Sequence, residues 1–278
     1  MKLLCSIPAN EARTPDRLHY HFSVERDLAT RLKATSKSQR SAAYPKIYDE
    51  LFSKVGDHPS LTRASSQAAR RAYILEQLKA MEQWLTPATV YLEIGAGDAA
   101  LASEVAKRVR RVHATEVSKT IIERPNLPRN LEVIIVQGAD VPVEPGSVDL
   151  AYSNQVMEHL HPEDALEQLA NIHRALKPGG KYVCVTPNRL NGPHDISRYF
   201  EKTAAGLHLK EYTFAELSGL MRESGFRHVS ACYMTEGHAR VLPAGPISAL
   251  EQIVALTPMG ARRSGLSRFL CHCVVATK

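Results

Sequence analysis

The stretch TVYLEIGAGDAALASEVAKR, residues 89–108, reads as an apolar strand, a Gly-x-Gly turn and an Ala-rich helix in immediate succession. TVYLEI is a continuous apolar run, the pattern of a strand covered on both faces of a parallel sheet. In DAALASEVAKRV the apolar residues recur at three and four, as one face of a helix requires. Between them, Gly95 and Gly97 carry no Cβ, so backbone N–H groups can come close to a ligand at the helix N-terminus. Such a turn serves nucleotide cofactors, and an acid about twenty residues further on is expected to accept from the ribose hydroxyls. Glu116 closes the next strand-like run, RVHATE, at that distance.

Nicotinamide dinucleotides and S-adenosylmethionine both fit these features, and the Gly-x-Gly-x-x-Ala form alone does not separate them. Glu93 does. It stands two residues before Gly95, where a carboxylate would repel a pyrophosphate but suits a cationic amino-acid end.

The same rhythm continues outward. LEVIIVQG, SVDLAYSN and KYVCVTP read as further strands, a short helix is expected around SKTII, and PEDALEQLANIHRALKPGG is the clearest helix, with Pro162 near its start and Pro178-Gly179 as its stop. TFAELSGLMRESGF is another helix, and RHVSACYM and FLCHCVVATK are the last two strands. Alternation of this kind predicts an α/β fold with a doubly wound parallel sheet. Residues 1–88 break the rhythm and read as a helical N-terminal lobe acting as a substrate cap. In that lobe Ala68, Ala72, Leu75, Leu78, Met81 and Leu85 form one apolar stripe, with Trp84 as a core anchor. An irregular stretch, 235–267, reads as a lid-like insertion in the 89–278 domain.

Composition sets the outer limits. The 278 residues are 44% hydrophobic and 23% charged, ordinary for a globular chain with a substantial core. A formal net charge of +6 favours anionic partners, yet aromatic content of 6% leaves few stacking platforms for RNA. Five cysteines without Cys-x-x-Cys spacing predict reduced thiols. MKLLCSIPA opens like a leader, but Pro8, Asn10 and Glu11 end its apolar run short of an h-region, so a cytoplasmic location without a membrane span is expected.

LEIGAGDAAL, ATEVS, VPVEPGSVDLAYSNQVMEHL, ALKPGGKYVCVTPN and HLKEYTFAELSGLMRESGF together resemble the class I S-adenosylmethionine-dependent methyltransferases over residues 89–278, closest to the ubiquinone-O-methyltransferase-like branch of small-molecule and glycan enzymes. The resemblance implies a Rossmann-like seven-stranded sheet ordered 3-2-1-4-5-7-6, its last strand antiparallel. It also implies S-adenosyl-L-methionine as cofactor, with S-adenosyl-L-homocysteine as product. Glu93, Gly95, Ala96 and Gly97 would hold the methionine end, Glu116 the ribose and Val117 the adenine. Gln137, followed by Gly138, would replace the usual Asp at the adenine amine, with Asp140 the lesser candidate. Asn154 and Gln155 would close over the methionine.

Bases are expected after the fourth and fifth strands, where such sheets place their sites. His194 and Asp195 in PNRLNGPHD, Glu158, His159 and His161 in MEHLH and His208 and Glu211 in HLKEYT supply them, His194 being the favoured base for an acceptor hydroxyl. Some relatives hold a divalent ion through Glu-x-x-Glu-His and a distant His. Here Glu158, His159 and His208 would be the ligands, but Gln155 replaces the first carboxylate, so the expected site is metal-free. Cys271, His272 and Cys273 read as strand packing, and Arg262-Arg263 as a solvated face. The expected activity is methyl transfer to a hydroxyl of a small-molecule or glycan acceptor. RNA 2′-O-methylation with a metal, and a non-catalytic methyltransferase-like subunit, are the alternatives.

Overall fold

The computed structural model describes residues 3–9, 11–62, 67–119, 126–235 and 238–278. Among the described residues, eight strands form one sheet: β1 (Val90–Ile94), β2 (Arg111–Glu116), β3 (Leu131–Ile135), β4 (Val148–Asn154), β5 (Leu176–Val185), β6 (His228–Thr235), β7 (His238–Pro243) and β8 (Cys273–Thr277). Their order is β3-β2-β1-β4-β5-β8-β6-β7. The first five strands pair in parallel, and β8 runs antiparallel to both β5 and β6. This is the Rossmann-like methyltransferase arrangement, extended by one strand. The addition is β7, an antiparallel hairpin partner of β6 cut from the stretch expected to be irregular. After it come α8 (Ala244–Ala255) and α9 (Met259–Ser264).

All five residues of β1 are buried, as its continuous apolar run requires. The period-two alternation of a strand divides them between two cores. Leu92 and Ile94 join one cluster with Leu28, Leu32, Ile47 and Leu51 of helices α1 (Pro15–Ala34) and α2 (Lys37–Lys54), and with Leu169 and Ile172 of α6 (Pro162–Ala175). Tyr91 joins the other, with Leu78 and Met81 of α4 (Gln67–Met81) and Leu101 and Val105 of α5 (Ala100–Val105). A four-residue helix α3 (Pro59–Thr62) precedes α4, so the N-terminal helices divide between the two faces.

Two local readings are corrected. Of the expected stripe on α4, Leu78 and Met81 are buried as read, but Ala72 and Leu75 are exposed, and Ile74 and Gln77 turn inward in their place. α6 ends at Ala175, and LKPGG is already the start of β5, where the positive-φ Gly179 donates its N–H to the Lys278 carbonyl at 3.1 Å. The short helix expected around SKTII runs mostly into residues outside those described. By contrast α7 (Phe214–Glu223) begins as its sequence suggests, with a reciprocal Thr213–Glu216 capping box.

A buried ion pair fastens α2 to α6. Arg40 of α2, 3% exposed, grips both oxygens of Asp164 on α6 at 2.8 and 3.0 Å, and the Tyr44 hydroxyl donates to the same carboxylate at 2.8 Å.

Candidate functional site

A cavity of about 1140 Å³ opens at the carboxyl ends of the parallel strands. The glycine turn forms one end of it. Gly95 and Gly97 have φ of +68° and +56°, which lets the turn double back; the N–H groups of Gly95 and Ala96 both donate to the Thr115 carbonyl. Glu116, at the tip of β2, accepts from Gly97 N at 2.8 Å through one oxygen and from Val117 N and Ser118 N through the other. Its carboxylate thus ties the turn to the next loop while facing the cavity.

Glu93 is 5% exposed and its Oε2 has no hydrogen-bond partner. Burial, reinforced by the charge of Glu116, pushes its carboxyl up to about 8. A buried acid oxygen left unsatisfied is costly unless a ligand completes it. Beside an open glycine turn, it fits the ammonium of an amino-acid end.

Val117, Val136 and Gly138 line the next part of the wall. Gly138 packs so closely on α2 that a Cβ there would lie 3.1 Å from Ser41 Cα. Gln137 does not join them. Its side chain is exposed, as is that of Asp140, because the chain leaving β3 turns the residues on either side of Gln137 inward. Asn154 donates to the Tyr73 hydroxyl at 2.9 Å and to Gln77 Oε1 at 2.8 Å, and Gln155 takes a positive φ of 56°. Arg70 pairs with Asp98 on the turn, so α4 covers this end of the cavity.

The other end is walled by histidines and acids. His159 has its Nδ1 2.9 Å from the Leu207 carbonyl, which makes that nitrogen the donor and leaves Nε2 as a lone pair. Burial, with the charge of His208, lowers its pKa to about 3, so the ring is neutral. His208 Nδ1 lies 2.7 Å from Glu211 Oε1; against the burial effect, that bond and the nearby acids hold the ring up to about 9. Glu158 is fully buried, accepts from Thr186 through Oε2 and has no partner at Oε1; burial raises it to about 7.

One ligand atom from each of Glu158, His159 and His208 falls within 4.8 Å of the others. Two imidazoles oriented by a carbonyl and a carboxylate, beside an unsatisfied acid oxygen, fit a divalent cation. A second cluster, His21, Glu25 and His58, is equally compact but does not fit one. Arg13 reaches His21 Nδ1 at 2.8 Å and Ser60 N donates to His58 Nδ1 at 3.1 Å, so both rings carry their proton on Nε2, toward Glu25. Neither has a lone pair left for a metal there.

His194 also lines the cavity. Its Nε2 lies 3.1 Å from the Asn188 carbonyl and 2.9 Å from Asn191 Oδ1, so Nε2 is the donor and Nδ1 the acceptor. Burial lowers its pKa, keeping it neutral. Asp195 is committed otherwise. One oxygen caps Ser197 N and the other accepts from Gly206 N, both at 3.0 Å, which makes it a loop tether.

The sequence reading made the N-terminal lobe a cap but named none of the residues it brings to the site: Arg13, His21, Glu25, Tyr48 and His58 all line the cavity. One signal was present. Glu25 interrupts the α1 stripe Leu18, Phe22, Leu28, Leu32, and a carboxylate on a core-facing stripe demands a partner.

Residues 92–184 match a family model described as a methyltransferase domain. A "Probable S-adenosylmethionine-dependent methyltransferase" of Mycolicibacterium smegmatis is 32% identical over 139 residues, covering 49% of this chain and 51% of that protein. One of the same description from Mycobacterium tuberculosis is 30% identical over 148 residues, covering 52% of each. The chain spans about half the length of these curated relatives. Among solved structures, a 1,6-didemethyltoxoflavin-N1-methyltransferase of Burkholderia thailandensis superposes with TM-score 0.53 at 15% identity, covering 100% of this chain and 99% of that one. A phosphoethanolamine N-methyltransferase of Haemonchus contortus gives 0.53 at 15% identity, covering 85% and 49%. At these identities the superpositions speak for the fold alone. The domain match and the relatives are to S-adenosylmethionine-dependent methyltransferases, and the superpositions show that the chain shares their fold. Among the described residues no helix is long and apolar enough to cross a membrane.

Proposed function

We propose that the chain transfers the methyl group of S-adenosylmethionine to a hydroxyl of a small molecule or sugar. The observation that carries this reading is the continuous cavity running from Glu93, Gly95 and Glu116 to His159, His194 and His208. It joins a cradle for a cationic amino acid and ribose to a wall of oriented imidazoles. The donor supplies a methyl on a sulfonium. The acceptor oxygen forms the new C–O bond as the C–S bond breaks, its proton passes to a neutral imidazole, and S-adenosylhomocysteine leaves. Positioning in line accounts for most of the rate, and a base for the remainder. His194 Nδ1 and His159 Nε2 are lone pairs on neutral rings, which is the state a base needs.

The open Oε1 of Glu158 favours a second form of the same reaction, in which Glu158, His159 and His208 hold a divalent cation. When bound, such an ion lowers the pKa of a ligated hydroxyl. Two imidazole nitrogens and one carboxylate suit a borderline ion such as Zn²⁺ or Fe²⁺ better than Mg²⁺. The Burkholderia relative is named for an N-methyl acceptor, and such an acceptor would need less of a base.

Methyl-labelled S-adenosylmethionine, the purified chain and a cell extract test both forms. Label on a hydroxyl of a small-molecule or glycan product supports the reading, label on an amine redirects it to N-transfer, and chelator sensitivity distinguishes the metal form. Label confined to RNA, or none despite donor binding, overturns the reading.

A further inference from the structure

The N-terminal helices lie outside the matched domain, yet α1 reaches the centre of the acceptor wall. Glu25 is 4% exposed and holds three donors: His21 Nε2 at 2.6 Å, Leu207 N at 3.0 Å and, more distantly, His58 Nε2 at 3.6 Å. Burial opposes its charge, but these bonds keep the carboxyl well below the usual range. Leu207 is in turn the residue whose carbonyl accepts from His159 Nδ1. The loop around it is held from several sides: Asp195 and Ser197 bind Gly206 N, and Ser197 Oγ also takes Ala205 N. A Cβ on Gly206 would stand 2.5 Å from Glu25 Oε2 and 2.7 Å from Asp195 Oδ2, so only glycine lets the two carboxylates converge there.

We infer that Glu25 is a positioning residue, which by gripping the Leu207 amide aims the Leu207 carbonyl at His159 and so keeps the His159 Nε2 lone pair facing the cavity. The inference rests on the methyl-transfer reading for its consequence, not for its geometry. Arg13 completes the arrangement. By donating to His21 Nδ1 it forces the His21 proton onto Nε2, toward Glu25, while Glu11 holds Arg13 at 2.8 Å. The line from Glu11 through Arg13, His21, Glu25 and Leu207 ends at His159. A family domain match confined to 92–184 supplies none of its first five members.

The test is long-range ¹H–¹⁵N correlation on the full chain labelled at histidine, with His159 assigned by His159→Gln. The expected wild-type signal is the Nδ1–H tautomer. Glu25→Gln puts an amide N–H against one of the existing donors, so the Nδ1–H population of His159 falls, while S-adenosylhomocysteine affinity stays within about twofold. With the acceptor found by labelling, kcat drops by roughly 10- to 100-fold, as for other groups that orient an active-site ring through a hydrogen bond. Should Glu25→Gln not fold, His21→Gln loosens the same grip and produces a smaller shift of the same sign. A wild-type His159 protonated on Nε2, or a Glu25→Gln protein with unaltered His159 signals, overturns the inference. If no methyl transfer is found, the tautomer still reads the relay, so the two failures are separable.

Discussion

A methyl group on Gly95 would stand 2.6 Å from Val156 Cγ2. The glycine turn after β1 and the turn after β4 therefore meet in direct contact, and the donor end of the cavity is shaped by both. Gly95 also holds a φ of +68°, which an L-residue adopts at a cost of about 1 kcal/mol or more. Gly95→Ala should weaken S-adenosylhomocysteine binding at least about tenfold, measured by calorimetry, because strain and collision both displace the turn. Adding Val156→Ala removes the collision and should restore part of the loss. A double variant no better than the single would show that backbone conformation alone sets the requirement.

Glu93 predicts a pH dependence of donor binding. Its carboxyl titrates near 8 in the free cavity, so below that pH it is protonated and offers no charge to an ammonium. Affinity should rise with pH toward about 8, by up to roughly tenfold per unit on the acid side. It should fall beyond as the ligand's own α-amino group, ordinarily near 8, loses its proton. Glu93→Gln removes the acid limb. The same shift acts on folding: an acid raised from 4.5 to about 8 binds its proton more tightly folded, so the ligand-free protein loses stability as pH rises between those values. Equal pH profiles for wild type and Glu93→Gln would rule out Glu93 as the titrating group.

The Arg40–Asp164 pair should matter for stability more than for chemistry. Arg40→Leu leaves Asp164, itself 6% exposed, without its bidentate partner. Stranding one charge of a buried pair costs about 3–5 kcal/mol. Asp164 keeps the Tyr44 hydroxyl, so the lower end is expected. Denaturant unfolding should show this loss in midpoint. A change under about 1 kcal/mol would mean that water reaches Asp164 once Arg40 is gone.

How much of this was legible in the sequence follows from where the signals lie. The β1–turn–α5 unit was readable because its cues are local: a continuous apolar run, two glycines and an acid at the end of the next strand. The strand order followed from resemblance, and β7 was hidden because HARVLP is short and its strand character comes from pairing with β6. On α4 the stripe was half right: Leu78 and Met81 pack inward as read, whereas Ala68, Ala72 and Leu75 stay exposed because tertiary packing rotates the buried face toward Ile74. The acceptor wall was only half visible. His159, His194 and His208 stand out near strand ends, whereas Glu25 and His58 reach the cavity only through the long-range packing of α1, α2 and α3.

His194 and Asp195, adjacent in sequence, should separate cleanly by experiment. Their adjacency suggests one catalytic pair, but their hydrogen bonds assign them different work. His194 has Nε2 tied to Asn188 O and Asn191 Oδ1 and presents Nδ1 as acceptor. Asp195 gives both oxygens to backbone amides, of Ser197 and Gly206. His194→Gln should therefore lower kcat by about 10²- to 10⁴-fold if the ring is the base, with donor affinity and melting temperature little changed. Asp195→Asn turns an acceptor into a donor against one of those amides. It should cost about 1–3 kcal/mol of stability, because a buried amide then lacks its partner. Its effect on kcat should come through the loosened 205–208 loop, and so should track the His159 tautomer signal. Loss of kcat in Asp195→Asn with stability and His159 signals intact would return Asp195 to the chemistry. A fully active His194→Gln would leave His159 as the base or the cation site as the activating group.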